Sequence, residues 1–256
     1  MTPIEVSKSI EEKLTTASGK PVLVQRDPNC SGHASIKIAS ADDAAHVLRY
    51  KPAFEPELPY LTAFQCGLAL RTINATPTKR FDLTSMPNLQ ADVQRLVSEH
   101  LDQSKSNIPA AMVPQLVAQF GNGLGLQLRS MPVAIRVDAM LFGDYPALRP
   151  LQRSSIERQL QEAMQALGPV VKAMAPKVIV DANVGMSTAF AKFWAKCWGE
   201  PQVALPFIAA GYNEIGNQLI ALIDSNPNSP DADRELVESW INQLQLGHWF
   251  RTINRK

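Results

Sequence analysis

Leu58-Pro-Tyr60-Leu-Thr-Ala-Phe64-Gln65-Cys66-Gly67-Leu68-Ala-Leu-Arg71-Thr-Ile73 decides the architecture, because helical spacing puts an apolar group on nearly every face of this stretch. Leu61, Phe64 and Leu68 form one stripe, flanked by Tyr60, Cys66, Ala69, Leu70 and Ile73, and Pro59 suits a first helical turn. A helix apolar all round belongs inside a fold, with other elements packed on it from several sides.

On its N-terminal side the periodicity is two rather than 3.6. Pro21-Val-Leu-Val-Gln25 and Ala34-Ser-Ile-Lys-Ile-Ala39 read as strands, with the turn formers Asp27-Pro-Asn-Cys-Ser-Gly32 between them predicting a hairpin. His46-Val-Leu-Arg-Tyr50 reads as a third strand, ended by Lys51-Pro52, and a helix over 5–16 precedes the sheet. On the C-terminal side the pattern stays helical. Helices are predicted over 88–103, 109–129, 132–142, 147–167, 184–198, 211–224 and 231–246, punctuated by prolines. The expectation is an α+β fold, mainly α: a small N-terminal antiparallel or mixed sheet packed on the buried helix, then a helical half. Residues 1–145 and 146–256 are expected to form one globular unit.

Composition agrees with a soluble folded chain. Of 256 residues, 45% are hydrophobic and 19% charged, enough apolar material for a core and too little polarity for disorder. A net charge of +1, from 25 basic and 24 acidic side chains, supplies no general field to steer nucleic acid. No apolar run reaches the roughly 18 residues of a spanning helix, and residues 1–20 are polar rather than signal-like. Cys30, Cys66 and Cys197 are odd in number and far apart, which suits a reducing compartment and a cytoplasmic location.

The setting of the central helix resembles the short ImmA/IrrE-like group of zinc metallopeptidases and related zincin-like proteins over residues 21–145. Those proteins combine a small sheet containing a His-x-Ile/Val-x-Tyr strand, a Pro-Ala-Phe connection, and Glu-Leu-x-Tyr-Leu leading into a helix that reads Ala-His-Glu-x-Gly-His when active. Here Tyr60-Leu61, Gly67 and Arg71 carry the match. The resemblance implies that Phe64 stands at the first histidine, Gln65 at the glutamate and Leu68 at the second histidine. It further implies that Leu128-Arg-Ser-Met-Pro-Val133 and Ile135-Arg-Val-Asp138 form the segment of an acidic third ligand, with Asp138 in its place.

In H-E-x-x-H chemistry two imidazoles one turn apart hold Zn²⁺ and the glutamate activates its water. Phenylalanine and leucine have no lone pair for a metal, and a glutamine amide accepts no proton at pH 7. Neither hydrolysis, nor a bound metal, nor any other cofactor is expected. Phe64, Gln65, Leu68 and Asp138 are vestigial positions, and a helix that never held zinc would equally use Phe64 and Leu68 as core, each contributing about 2–3 kcal/mol by burial.

Other motifs carry less. Cys30-x-x-His33 with His46 on the next strand lacks the further ligands of a structural zinc site and reads as turn and strand residues. His100 suits a helix end, and His248, beside Trp249-Phe250, suits a docked C-terminal segment. Gly121-Asn-Gly-Leu-Gly125 follows a helical pattern and lacks the Lys and Ser/Thr of a phosphate loop, so it reads as a kinked or interrupted, closely packed helix. Ser154-Ser155 and Ser187-Thr188 have no adjacent base and read as caps or exposed positions. Lys192-Phe-Trp-Ala-Lys196-Cys-Trp198 has the composition of a nucleic-acid or membrane patch. It reads more simply as an amphipathic helix burying Phe190, Phe193, Trp194 and Cys197. Asp231 to Glu238 reads as a solvated acidic face, and Arg251, Arg255 and Lys256 are too few for a nucleic-acid tail.

The functional expectation is a non-catalytic pseudo-metallopeptidase that serves as a protein-binding or assembly module in a bacterial complex, with Tyr60, Arg71, Arg136, Trp194 and Trp198 as cleft or interface residues. Two alternatives stay open: a hydrolase whose centre has moved to residues such as His33, His46 and Asp138, and a purely structural helical subunit of a defence or regulatory complex. A protein partner is expected and a membrane is not. Nucleic acid is disfavoured by net charge, leaving only the Lys192–Trp198 patch for it.

Overall fold

The computed structural model describes residues 1–30, 32–104 and 108–255. In chain order the regular elements are α1 (Pro3–Ser18), β1 (Val22–Arg26), β2 (Ala34–Lys37), β3 (His46–Tyr50), α2 (Leu58–Asn74), β4 (Phe81–Ser85), α3 (Leu89–Ser104), α4 (Val113–Asp144), α5 (Arg149–Met164), α6 (Pro169–Met174), α7 (Lys177–Trp198), α8 (Leu205–Phe207), α9 (Asn213–Ser225), α10 (Asp233–Gln243) and β5 (Phe250–Asn254). The class is α+β, mainly α. Among the described residues no helix is long and apolar enough to cross a membrane.

The chain forms two compact units. The first comprises Met1–Arg80, Ala134–Arg158 and Ser229–Asp231, and the second Phe81–Val133, Gln159–Asn228 and Ala232–Lys256. In the first unit, α1 starts at a capping box: the Thr2 hydroxyl accepts from the Glu5 amide while the Glu5 carboxylate accepts from the Thr2 amide. Gly19 ends it with φ of 71°, a left-handed turn that glycine makes without penalty. Val6, Ile10 and Leu14, at spacings of four, are buried. The helix outruns the expected 5–16 at both ends.

The three-stranded sheet is mixed, with order β1-β3-β2: β3 runs parallel to β1 and antiparallel to β2. The expected β1–β2 hairpin is therefore wrong. The stretch between those strands is too long for a tight turn to dictate their register, and β3, with His46, Leu48 and Tyr50 buried, takes the centre. The hairpin is β2–β3 instead, closed near Ser40–Asp43, where the Asp43 carboxylate accepts from the Ser40 amide and hydroxyl.

Helix α2 packs on α1 and on β2 and β3. Its residues Tyr60, Leu61, Ala63, Cys66 and Ala69 are buried, as the apolar pattern predicts. Phe64, Gln65 and Leu68 are only half-buried, so the expected 2–3 kcal/mol for each of the two apolar side chains is an overestimate. Gly67 has a packing reason: a Cβ there would lie 2.7 Å from Val137 Cγ1 on α4.

Two predicted helices, 109–129 and 132–142, are one continuous α4 that passes through Pro132. The proline removes one helical hydrogen bond at a cost of about 3 kcal/mol. Leu124 and Leu128 before it and Ile135 and Val137 after it, all buried, hold the helix through the break. Gly121-Asn-Gly-Leu-Gly125 lies inside α4 without interruption, and Gly125 admits the Phe250 ring, which a Cβ would meet at 3.0 Å. In the second unit α7 packs on α9, with Gly185 against Ile215 and Gly216 against Thr188, and Val184, Met186, Phe190 and Trp194 of α7 are buried. Helix α7 starts earlier than the predicted 184, and α6 lies outside the predicted elements. So do β4 and β5, which form a two-stranded antiparallel sheet from distant parts of the chain.

Candidate functional site

The residues singled out on α2 meet α4 and α5 in the first unit. The Tyr60 hydroxyl donates to Asp138 Oδ1 at 2.8 Å, and Gln152 Nε2 donates to the same oxygen at 2.9 Å and to the Asp138 carbonyl at 3.1 Å. All three side chains are buried. Burial pushes the Asp138 carboxyl up to about 7, against which the Gln152 and Tyr60 hydrogen bonds act weakly. Burial, and then the adjacent Asp138 charge, holds the Tyr60 phenol well above its usual range.

Two contacts define how α2 and α4 cross: Tyr60 with Asp138, and Gly67 with Val137. Positions 60, 64 and 67 share one helical face, spanning about 10 Å at 1.5 Å per residue. Phe64 thus sits between the two contact points, with its ring centroid 5.9 Å from that of Tyr60. Asp138 is bonded to Tyr60, one turn before Phe64.

Gln65 faces the sheet, where its Nε2 donates to the Ala34 carbonyl at 3.0 Å. The Lys51 amide donates to the His33 carbonyl, so residues 33, 35 and 37 direct their backbone groups at β3 while Ala34 and Ile36 direct theirs outward. Gln65 therefore covers an acceptor on the open edge of β2. Cys66, on the same helix, is buried, and its thiol is pushed up to about 12, which makes it unreactive.

A second polar cluster surrounds Glu57, which is 3% exposed. Its Oε1 accepts from Arg158 Nη2 at 2.8 Å and from Ser154 Oγ at 2.9 Å. The Arg158 guanidinium lies over the Phe54 ring at 4.8 Å, and His33 stacks on Phe54 at 3.8 Å. Sequence reasoning missed Glu57 and Gln152. Glu57 opens the Glu57-Leu-Pro-Tyr60-Leu61 stretch without any sign of its burial, and Gln152 is one polar residue in a mostly polar helix.

The residues proposed for a relocated hydrolase centre are not brought together. His33 stacks on Phe54. His46 Nδ1 accepts from the Ala39 amide at 2.9 Å while its Nε2 bonds Ser18 Oγ at 2.9 Å. Burial, and then the Lys20 charge, lowers the His46 pKa. Asp138 is engaged by Tyr60 and Gln152. Among the described residues no group of three or more His, Cys, Asp or Glu is arranged to hold a metal.

Of the cleft or interface residues, Tyr60, Arg136 and Trp194 are buried, and Arg71 and Trp198 keep partial exposure. Trp194 and Trp198 belong to the second unit, the other three to the first. On α7 the aromatic side chains pack inward: Trp194 lies 5.2 Å from Phe193 and 5.1 Å from Trp198, while Lys192 Nζ donates to Asn213 Oδ1 at 2.5 Å. Phe190 and Trp194 are buried as the amphipathic reading expects, whereas Phe193 and Cys197 are only half-buried. Ser155, Ser187 and Thr188 are buried rather than capping or exposed, with the Thr188 hydroxyl donating to the Val184 carbonyl. Asp233 is buried too, so the acidic run is not solvated throughout. His100 bonds the Lys172 carbonyl, and Trp249 is buried with Nε1 donating to Asp92 at 3.3 Å, beside exposed His248. Lys256 lies outside the described residues.

No family model, curated protein or solved structure matches the chain.

Proposed function

We propose that this chain is a non-catalytic pseudo-metallopeptidase, a cytoplasmic module that binds or assembles with another protein in a bacterial complex. One observation carries the reading: of the four positions at which the resemblance expects zinc chemistry, Gln65 and Asp138 are engaged in structural hydrogen bonds and Phe64 and Leu68 are apolar. Phe64 is half-buried beside the Tyr60 ring, Gln65 serves the β2 edge, and Asp138 is bonded by Tyr60 and Gln152. None of these groups offers a metal an available pair of electrons next to a second ligand. What remains is a sheet-and-helix scaffold suited to holding a protein segment.

Restoring the chemistry tests the idea. The F64H/Q65E/L68H variant, with Asp138 as third ligand, is expected to bind about one Zn²⁺ per chain at pH 8, where the wild type binds far less, and to keep the wild-type circular dichroism. A folded triple variant without affinity for zinc would refute the metallopeptidase ancestry. Stoichiometric zinc in the wild type together with peptide hydrolysis would refute the non-catalytic role.

A further inference from the structure

The two edges of the three-stranded sheet are treated differently. Strand β2 is guarded by the Gln65 amide on Ala34. Among the described residues strand β1 has nothing equivalent. The His46 amide donates to the Pro21 carbonyl and the Asp27 amide to the Tyr50 carbonyl, which in a parallel ladder means that residues 21, 23, 25 and 27 face β3. Val22, Val24 and Arg26 therefore turn their N–H and C=O groups away from the sheet, along an edge with no further strand among the described residues. The edge also carries apolar surface on both faces, since Leu23 is 50% and Val24 42% exposed. Natural edge strands are commonly protected by a central charge, proline or bulge. Here Pro21 lies before the strand, the one charge, Arg26, is at its end, and the middle is open.

We propose that β1 is a self-association edge and that its occupant is β1 of a second copy, joined antiparallel about a two-fold axis through Val24. The strand Val22-Leu-Val-Gln-Arg26 is self-complementary in this register. Val24 faces its own counterpart, Val22 faces Arg26 and Leu23 faces Gln25. No like charges oppose each other, and Arg26 is already neutralised by Glu55 of its own chain. All three outward residues fall into hydrogen-bonded pairs, giving about six main-chain bonds, and the two sheets become one. An unrelated extended segment would satisfy the same backbone groups but would not need the Val24 to Val24 symmetry.

The test uses the full chain. Sedimentation velocity over about 1–200 µM is expected to show a reversible shift from 28.1 kDa to twice that mass. V24P deletes an amide that points away from β3, so it leaves the ladder intact and is expected to raise the dimer dissociation constant at least tenfold. V24K, which places two like charges across the axis, is expected to do the same should V24P fold poorly. Oxidised V24C is expected to give a disulfide that joins the two copies across the axis, because hydrogen-bonded antiparallel pairs have Cα atoms about 5.5 Å apart, within disulfide range. V47C, on the central strand, is expected to give none. A chain monomeric throughout the range, or a dimer unaffected by V24P and V24K and left without a cross-link in oxidised V24C, overturns the proposal.

Discussion

Replacing Asp138 by asparagine should make the protein more resistant to unfolding at alkaline pH, although the change removes a carboxylate bonded by two side chains. The Asp138 carboxyl titrates at about 7 when folded, against an ordinary value of 3.8. For an acid raised in this way the folded state holds the proton more tightly. Its favourable contribution is complete below the unfolded pKa and is lost as pH rises through the folded one. With 1.36 kcal/mol per unit, the shift amounts to about 4 kcal/mol in total, of which about 2.5 kcal/mol falls between pH 5 and pH 8. The amide oxygen of asparagine can still accept from Tyr60 and Gln152, so the structural cost of D138N stays near about 1 kcal/mol. Urea denaturation at pH 5, 6, 7 and 8 gives the comparison, and differences between the two proteins cancel every other titrating group. Wild type should lose about 2.5 kcal/mol more than D138N across that range. Parallel pH profiles, or a D138N protein that is less stable at pH 8 by several kcal/mol, would refute the assignment of a buried acid held protonated by desolvation.

His46 behaves in the opposite sense: its folded pKa is lowered by burial, so its contribution is present above the unfolded pKa and is lost as pH falls through the folded one. Its imidazole signals in an NMR titration should midpoint below the ordinary histidine value of 6.5. G67A should destabilise by about 1–2 kcal/mol despite alanine's better helix propensity, because the new Cβ meets Val137 Cγ1 at 2.7 Å. G67A/V137A should recover part of that loss in a double-mutant cycle. E57Q should lower stability by about 1–3 kcal/mol, since it weakens the acceptor shared by Arg158 and Ser154 at a buried site, and the denaturation midpoint reads this directly.

The parts of the fold that are legible in the sequence are those in which local pattern and burial coincide. Helix α2 follows from its apolar residues alone, and α3, α9 and α10 from single amphipathic stripes ended by turn formers. Strand order is not legible. Nothing in Val22–Arg26 or Ala34–Lys37 says that a third strand will come between them, because strand order is set by tertiary packing rather than by local pattern. The pairing of Phe81–Ser85 with Phe250–Asn254 has no short-range turn signal at all. Pro132 misleads because its penalty is local while the packing that overrides it is tertiary. At the site, Tyr60 and Asp138 are each visible as residues on apolar helices, but the bond between them depends on a helix crossing, and Gln152 enters from a third helix whose sequence is mostly polar.

The Tyr60–Asp138–Gln152 cluster has a physical role whatever the ancestry. It ties α2, α4 and α5 at one buried point, and a tie of this kind is what a bound metal provides when its ligands come from two helices. On the pseudo-metallopeptidase reading, loss of the ion would leave a buried carboxylate whose desolvation must be met by other donors, and a phenol and an amide do so without restoring a Lewis acid. Gln65 extends the same logic. A glutamate at 65 could not donate to Ala34, whereas the amide closes the β2 edge. A Q65E change alone should accordingly weaken the β2 edge, seen as faster amide exchange in residues 34–37, while creating no hydrolytic activity.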